Sequence, residues 1–319
     1  MPNAWHCPPF KEGESMPLPL AYVDISDDVK IVYTMLGKKD AKHRLLLITG
    51  LATPLNNWIP QLNHFGNKED YCVIALDNRG CGHSAMPAGK HHYSINIFAA
   101  DILALLDHVG WTSNVNIVGF SMGGMIALRF AIDHHAYVGS LTLLSTHAGG
   151  AFPPFVVIWT VTRRWFVKDL SRRADISLRS LYSPHFLAAK SSIAVDSQPG
   201  ETNFDRLKRN YLRRGKTVPI QNSHANNGHY AAVRSFRTTK EELHSLRESL
   251  AFPPLICVGT ADNYVHWKHS RHLKEILDGY LVLYPGAGHV INEECYADLN
   301  LRIENHIKNA TEARESRGL

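Results

Sequence analysis

A serine framed by glycines, Gly119-Phe120-Ser121-Met122-Gly123, lies between the apolar run Val115 to Val118 and the apolar-periodic stretch Met125 to Phe130. In that setting G-x-S-x-G describes a strand-to-helix turn. The turn is so tight that side chains two residues either side of the serine would collide, and glycine avoids this. It would hold the Ser121 hydroxyl clear of the sheet as a nucleophile. The next backbone N–H, that of Met122, would point at the same space, where charge develops on an attacked carbonyl oxygen. The pentapeptide alone is common; a strand before it and a helix after it make it specific. A serine here could instead merely cap the helix. The flanking glycines, with Gly124 behind them for close helix–sheet approach, favour the nucleophile.

A serine hydroxyl is a poor nucleophile without a base. Of nineteen histidines, His289 is placed best. It follows Tyr284-Pro285-Gly286-Ala287-Gly288, just past the end of a strand-like run, Tyr280 to Tyr284. Active sites of open parallel sheets lie at that edge, which is also where Ser121 falls. The partner acid is expected after the preceding strand, and Ile256-Cys257-Val258-Gly259-Thr260-Ala261-Asp262 supplies Asp262. The 27 positions from Asp262 to His289 accommodate one helix and one strand, which return the chain to the same edge. The order Ser121, Asp262, His289 matches the Ser…Asp…His sequence of this architecture. A second donor to the oxyanion should come from the loop after Leu45-Leu46-Leu47-Ile48-Thr49-Gly50; Leu51 is the first choice and Ala52 the second.

Other chemistry-bearing residues read as structural. Asp77-Asn78-Arg79-Gly80-Cys81-Gly82-His83-Ser84 follows a strand but no helix starts directly after it, so phosphate binding is not expected. Arg79 there could pair with Asp77 or a backbone carbonyl. His266, His269 and His272 repeat every three residues along a solvated helix face and lack a metal-site signature. Asn226-Asn227-Gly228-His229 reads as a loop before a helix, from which His229 could line the site. No metal or organic cofactor is expected.

These residues need elements to position them. Leu20 to Ile25 and Val29 to Met35 read as a hairpin. Arg44 to Thr49 and Tyr71 to Leu76 read as strands buried on both faces, with helices near Asn56 to Phe65 and Ser94 to Val109. Asp101 and Gly110 suit the start and stop signals of the latter helix. The βα alternation continues to Ser145, stops at Ala151 and resumes at Pro254, so an α/β core is interrupted by a mostly helical insertion. The boundaries are core at 20–150 and 241–308, insertion at 151–240, and terminal extensions at 1–19 and 309–319, with a frayed tail after Lys308. The insertion holds sixteen Lys and Arg against five Asp and Glu, a local +11 within a chain of net charge +5. A solvated face, or an overhang favouring anionic substrates or surfaces, would explain it. Its aromatics Phe152, Phe155, Trp159 and Trp165 suggest an apolar pocket or a lid over acyl chains.

At 45% hydrophobic and 20% charged residues, wholesale disorder is excluded. Five cysteines, odd in number and without a C-x-x-C pair, favour a reducing compartment. No signal peptide or spanning segment is read, so a cytoplasmic protein without stable membrane insertion is expected. No pattern of a nucleic-acid module is present, and nothing sets an oligomeric state.

The chain resembles the α/β-hydrolase superfamily, specifically its capped serine esterase and hydrolase group. The likeness covers about residues 20–150 and 240–308 and rests on four landmarks: Thr49-Gly50 with its loop, Asp77 to Ser84 (D-x-R-G-x-G-x-S), Gly119 to Gly123, and the Asp262/His289 pair. The family usually carries His-Gly where this chain has Thr49-Gly50. Its dehalogenases and epoxide hydrolases use an aspartate nucleophile, which Ser121 argues against. The resemblance implies an eight-stranded, mostly parallel sheet with flanking helices and an inserted helical cap. It also implies hydrolysis of a small-molecule acyl substrate such as a carboxylic ester or lactone, which the insertion's aromatics and basic charge would make apolar or anionic. Acyl transfer on the same residues, a cofactor-free lyase, or a ligand receptor are the alternatives.

Overall fold

Six-residue apolar runs without polar alternation must be covered on both faces, and Tyr71 to Leu76 shows how. Cys72, Ile74 and Leu76 belong to one hydrophobic cluster and Tyr71, Val73 and Ala75 to the other. The computed structural model describes residues 18–151, 154–192 and 197–318, the side chains of 161, 164 and 165 excepted. Among the described residues the strands are β1 (Leu20–Ser26), β2 (Val29–Gly37), β3 (His43–Ile48), β4 (Tyr71–Leu76), β5 (Val115–Phe120), β6 (Val138–Leu144), β7 (Leu255–Gly259) and β8 (Tyr280–Tyr284). They form a single sheet in the order β1-β2-β4-β3-β5-β6-β7-β8. β2 pairs antiparallel with β1 and β4, and every other pairing is parallel. The eight-stranded, mostly parallel α/β expectation is therefore met.

The helices are α1 (Ile59–Gly66), α2 (Ile95–Val109), α3 (Met122–Asp133), α4 (Phe155–Phe166), α5 (Leu170–Leu181), α6 (Pro184–Ala188), α7 (Asn203–Thr217), α8 (Ser223–Ser235), α9 (Lys240–Ser249), α10 (Trp267–Leu277), α11 (Ile291–Glu294) and α12 (Tyr296–Glu315). Apolar residues of α2, α3, α9 and α10 cover one face of the sheet, and those of α1 and α12 the other. Helices α4 to α8 all fall between β6 and α9, in the stretch where the alternation breaks. Leu178, Leu187 and Leu207 join one core cluster and Ala225 and Ala232 the other, so this helical segment is packed onto the sheet domain.

Three local expectations need correcting. Ser94, not Asp101, caps α2 by accepting from the Ile97 N–H, while Gly110 ends it in the left-handed conformation as expected. Asn226 to His229 lies inside α8 and not in a loop before it; Asn222 is that helix's cap. The last helix does not fray after Lys308: it continues to Glu315, with Ala310 buried.

Candidate active site

The parallel strands β3, β5, β7 and β8 all end at the same sheet edge. The loops that follow carry Leu51, Ser121, Asp262 and His289. Ser121 stands between β5 and α3 with φ 54° and ψ −118°, a backbone conformation that costs a non-glycine residue roughly 1–3 kcal/mol. Surrounding structure must hold it there. The Ser121 N–H donates to the Leu144 carbonyl (2.9 Å), and the Thr146 hydroxyl donates to the Ser121 carbonyl (2.7 Å). The glycines are required by contact: a Cβ at Gly119 would lie 2.4 Å from the Gly123 carbonyl oxygen, and one at Gly123 only 2.2 Å from that of Ile48.

Across this turn the Ser121 Oγ is 3.1 Å from His289 Nε2, and His289 Nδ1 is 2.8 Å from Asp262 Oδ2. Both His289 and Asp262 are buried. An ionised Asp262 can only accept, so the imidazole carries its proton on Nδ1 and presents the Nε2 lone pair to the serine hydroxyl. Asp262 is itself held: its Oδ1 accepts from the backbone N–H groups of Tyr264 (2.7 Å) and Val265 (2.9 Å). The Tyr264 ring stacks on His289 with centroids 5.1 Å apart, and Phe120 packs against the imidazole at 5.0 Å. These rings leave the imidazole little room to rotate.

The helical segment grips the His289 loop as well. The His289 N–H donates to the Leu181 carbonyl at the end of α5 (2.7 Å). Glu294 accepts from the Gly288 N–H (3.0 Å) and from the N–H and hydroxyl of Ser183. Its neighbour Glu293 accepts from the Tyr182 hydroxyl (2.5 Å) and from Arg206 (2.8 Å). Burial, with Glu293 beside it, pushes the Tyr182 phenol well above its ordinary range, so it stays a donor.

On the other side, Gly50 lies against the nucleophile: a Cβ there would be 3.3 Å from the Ser121 Cβ. The following Ala52 is left-handed (φ 53°), and its N–H donates to His229 Nδ1 (3.3 Å). That N–H is engaged by the histidine. Met122 is the first residue of α3, and its N–H has no acceptor within the helix. His229 Nε2, the protonated nitrogen, donates to the Arg79 carbonyl (2.7 Å). Burial pushes the His229 imidazole down to about 4, so it is neutral at physiological pH.

The Asp77 to Ser84 stretch proves to be scaffolding for that loop. Asn78 donates to the Thr49 carbonyl (2.9 Å) and to its hydroxyl (3.2 Å), so the threonine in place of histidine is held by a neighbour of its own. Asp77 accepts from the N–H groups of Leu55 (2.7 Å) and His83 (2.8 Å), and Ser84 donates to the Asp77 carbonyl (2.6 Å). Arg79 pairs with neither Asp77 nor a carbonyl. It forms a buried two-point ion pair with Asp101 of α2, at 3.0 and 2.6 Å.

Sequence reading missed the double role of His229. The available signal was Ala225, Gly228 and Ala232, small residues at helical spacing around it, which mark a closely packed helix face. The remaining candidates lie elsewhere. His266 caps α10 and His269 packs beside His147, and among the described residues no group of three or more His, Cys, Asp or Glu could hold a metal ion. Phe155 and Trp159 are both exposed on α4. Phe152 and the side chain of Trp165 lie outside the described residues.

The family model described as "alpha/beta hydrolase fold" matches residues 43–295. A non-heme haloperoxidase of Rhodococcus erythropolis is 28% identical over 276 residues, which covers 85% of this chain and 93% of that protein. Epoxide hydrolase 4 of Mus musculus is 31% identical over 137 residues, covering 43% of this chain; the match spans only 37% of that relative. Among solved structures, a hydrolase from Pseudomonas aeruginosa PA01 superposes with a TM-score of 0.69 at 23% identity, over 90% of this chain and 98% of its own.

Proposed function

Because the chain belongs to the α/β-hydrolase family, we propose that it is a serine hydrolase that cleaves a carboxylic ester, lactone or related acyl bond through Ser121, His289 and Asp262. The observation that carries this reading is the unbroken chain of contacts, 3.1 Å from Ser121 Oγ to His289 Nε2 and 2.8 Å from His289 Nδ1 to Asp262. His289 Nε2 takes the serine proton as Oγ attacks the carbonyl carbon. Asp262 holds the imidazole in the required tautomer and stabilises the imidazolium that forms. The Met122 and Leu51 N–H groups donate to the oxyanion. The imidazolium then returns its proton to the leaving alcohol, leaving an acyl-serine. Water enters, loses a proton to the same nitrogen, and releases the acid. Helices α4 to α8 act as the cap, and the grip of the α5–α6 junction on the His289 loop and of α8 on the Ala52 loop is what fits this segment to that role.

A fluorophosphonate probe and a p-nitrophenyl ester test it together. Wild-type protein should be labelled and turn over the ester. Ser121→Ala should lose labelling and at least about 10³-fold in kcat, and Asp262→Asn should lose a similar factor. Undiminished ester hydrolysis by Ser121→Ala would end the assignment.

A further inference from the structure

Helix α4 is turned the opposite way from an ordinary amphipathic helix. Phe155, Ile158, Trp159, Thr162 and Phe166 recur at i, i+3, i+4, i+7 and i+11, which is a single stripe at 3.6 residues per turn. Such a stripe ordinarily faces the core. Here Phe155 is 79%, Ile158 50%, Trp159 57% and Phe166 82% exposed, while the opposite side turns inward through Val156, Val157 and the buried Thr160. The exposed large apolar side chains of this helix are contiguous, unlike the scattered ones that any surface carries. Their surroundings are cationic. Arg163 is exposed beside the stripe, the exposed Lys168 follows the helix and Arg172 is exposed on α5, against one exposed carboxylate between them, Asp169. The wider 151–240 segment carries a local +11 while the rest of the chain sums to −6.

An aromatic stripe flanked by arginine and lysine fits one kind of partner, a surface whose outer layer is anionic and whose inner layer is hydrocarbon. We propose that α4 is an interfacial helix that docks the protein on anionic lipid bilayers. Phe155, Ile158, Trp159 and Phe166 sit among the upper acyl chains, and Arg163, Lys168 and Arg172 lie at the lipid phosphates. At about 1.5 Å per residue the twelve-residue helix is far too short to span a bilayer and lies in its plane. Among the described residues no helix is long and apolar enough to cross a membrane. The docking uses none of Ser121, Asp262 or His289 and stands apart from the hydrolase reading.

Co-sedimentation of the full chain with phosphatidylcholine vesicles, with and without about a third phosphatidylglycerol, tests this directly. Wild-type protein should pellet with the anionic vesicles, bind the neutral ones at least about tenfold more weakly, and be released by salt. Trp159→Glu/Phe166→Glu should lose binding to the anionic vesicles by at least about tenfold, since two anchors are removed and two repulsive charges added. Its far-UV circular dichroism and urea midpoint should match those of the wild type, which shows that it is folded. Ser121→Ala should bind vesicles as the wild type does, so a failed hydrolase assignment would leave this result intact. A wild-type chain that stays in the supernatant with anionic vesicles overturns the proposal. So does equal binding to neutral vesicles. So does a salt-insensitive dimer by light scattering that the double variant abolishes without any wild-type vesicle binding, because the stripe would then be an interface between copies.

Discussion

Protonating His229 would deprive the Ala52 N–H of its acceptor, because a charged imidazole has no lone pair to offer. This ties a buried side chain of α8 to the loop that carries Leu51, without His229 touching any reacting atom. Under the proposed mechanism it is a positioning residue. His229→Ala should free the Ala52 N–H and loosen the loop, lowering kcat by about ten- to a hundredfold with little change in KM, since an oxyanion donor acts mainly in the transition state. His229→Gln can accept from Ala52 and donate to Arg79 through one amide, and should recover most of that loss. Steady-state kinetics of the two variants check this. An unchanged kcat in His229→Ala would remove His229 from the site's support.

Strand β5, its turn and α3 work as one element, and their tolerances are set by close contact with backbone and with one short side chain. A Cβ at Gly123 meets the Ile48 carbonyl oxygen at 2.2 Å, and one at Gly124 meets the Thr146 Cβ at 2.6 Å. Neither neighbour is the free end of a flexible side chain. Gly123→Ala must therefore push α3 away from β3, at a cost of about 1–3 kcal/mol by the usual range for overpacked sites. Urea unfolding should show the lowered midpoint. Fluorophosphonate labelling should be lost at the same time, since the displaced helix carries the Met122 N–H with it.

At the level of the whole molecule, burial among the described residues drives three imidazoles furthest from their ordinary range. His147, His229 and His306 are all buried, and burial holds each down to about 4 from an ordinary 6.5. The unfolded chain would take up protons on these residues below pH 6.5, whereas the folded protein resists until about pH 4. The folded state thus binds fewer protons in that window, and stability falls as pH drops through it. Their contribution is fully present above pH 6.5 and is worth roughly 3 kcal/mol per histidine at most. Unfolding free energies measured between pH 7.5 and 4.5 should decline steeply, and His306→Gln should flatten the slope by about one proton. His306 suits this test because it packs on Phe252 and donates to the Leu141 carbonyl, far along the chain from Ser121.

What the amino-acid order determined by itself is what short-range sterics and periodicity control. The glycines around Ser121 specify a turn, and apolar runs such as Tyr71 to Leu76 specify strands covered on both faces. The spacing from Asp262 to His289 brings the chain back to the edge it left, so the three residues proposed for catalysis were legible before any coordinates. What folding alone decided are pairings between distant segments. Arg79 chose Asp101, His229 reached across 177 residues to Ala52, and the Leu181 carbonyl took the His289 N–H. The outward turn of α4 belongs with these. Helical spacing shows that Phe155, Ile158, Trp159 and Phe166 share a face, but not whether that face meets protein, lipid or water. The reason is physical: a periodic pattern encodes direction around one element's own axis, whereas a partner is set by how two elements pack, which neither segment contains.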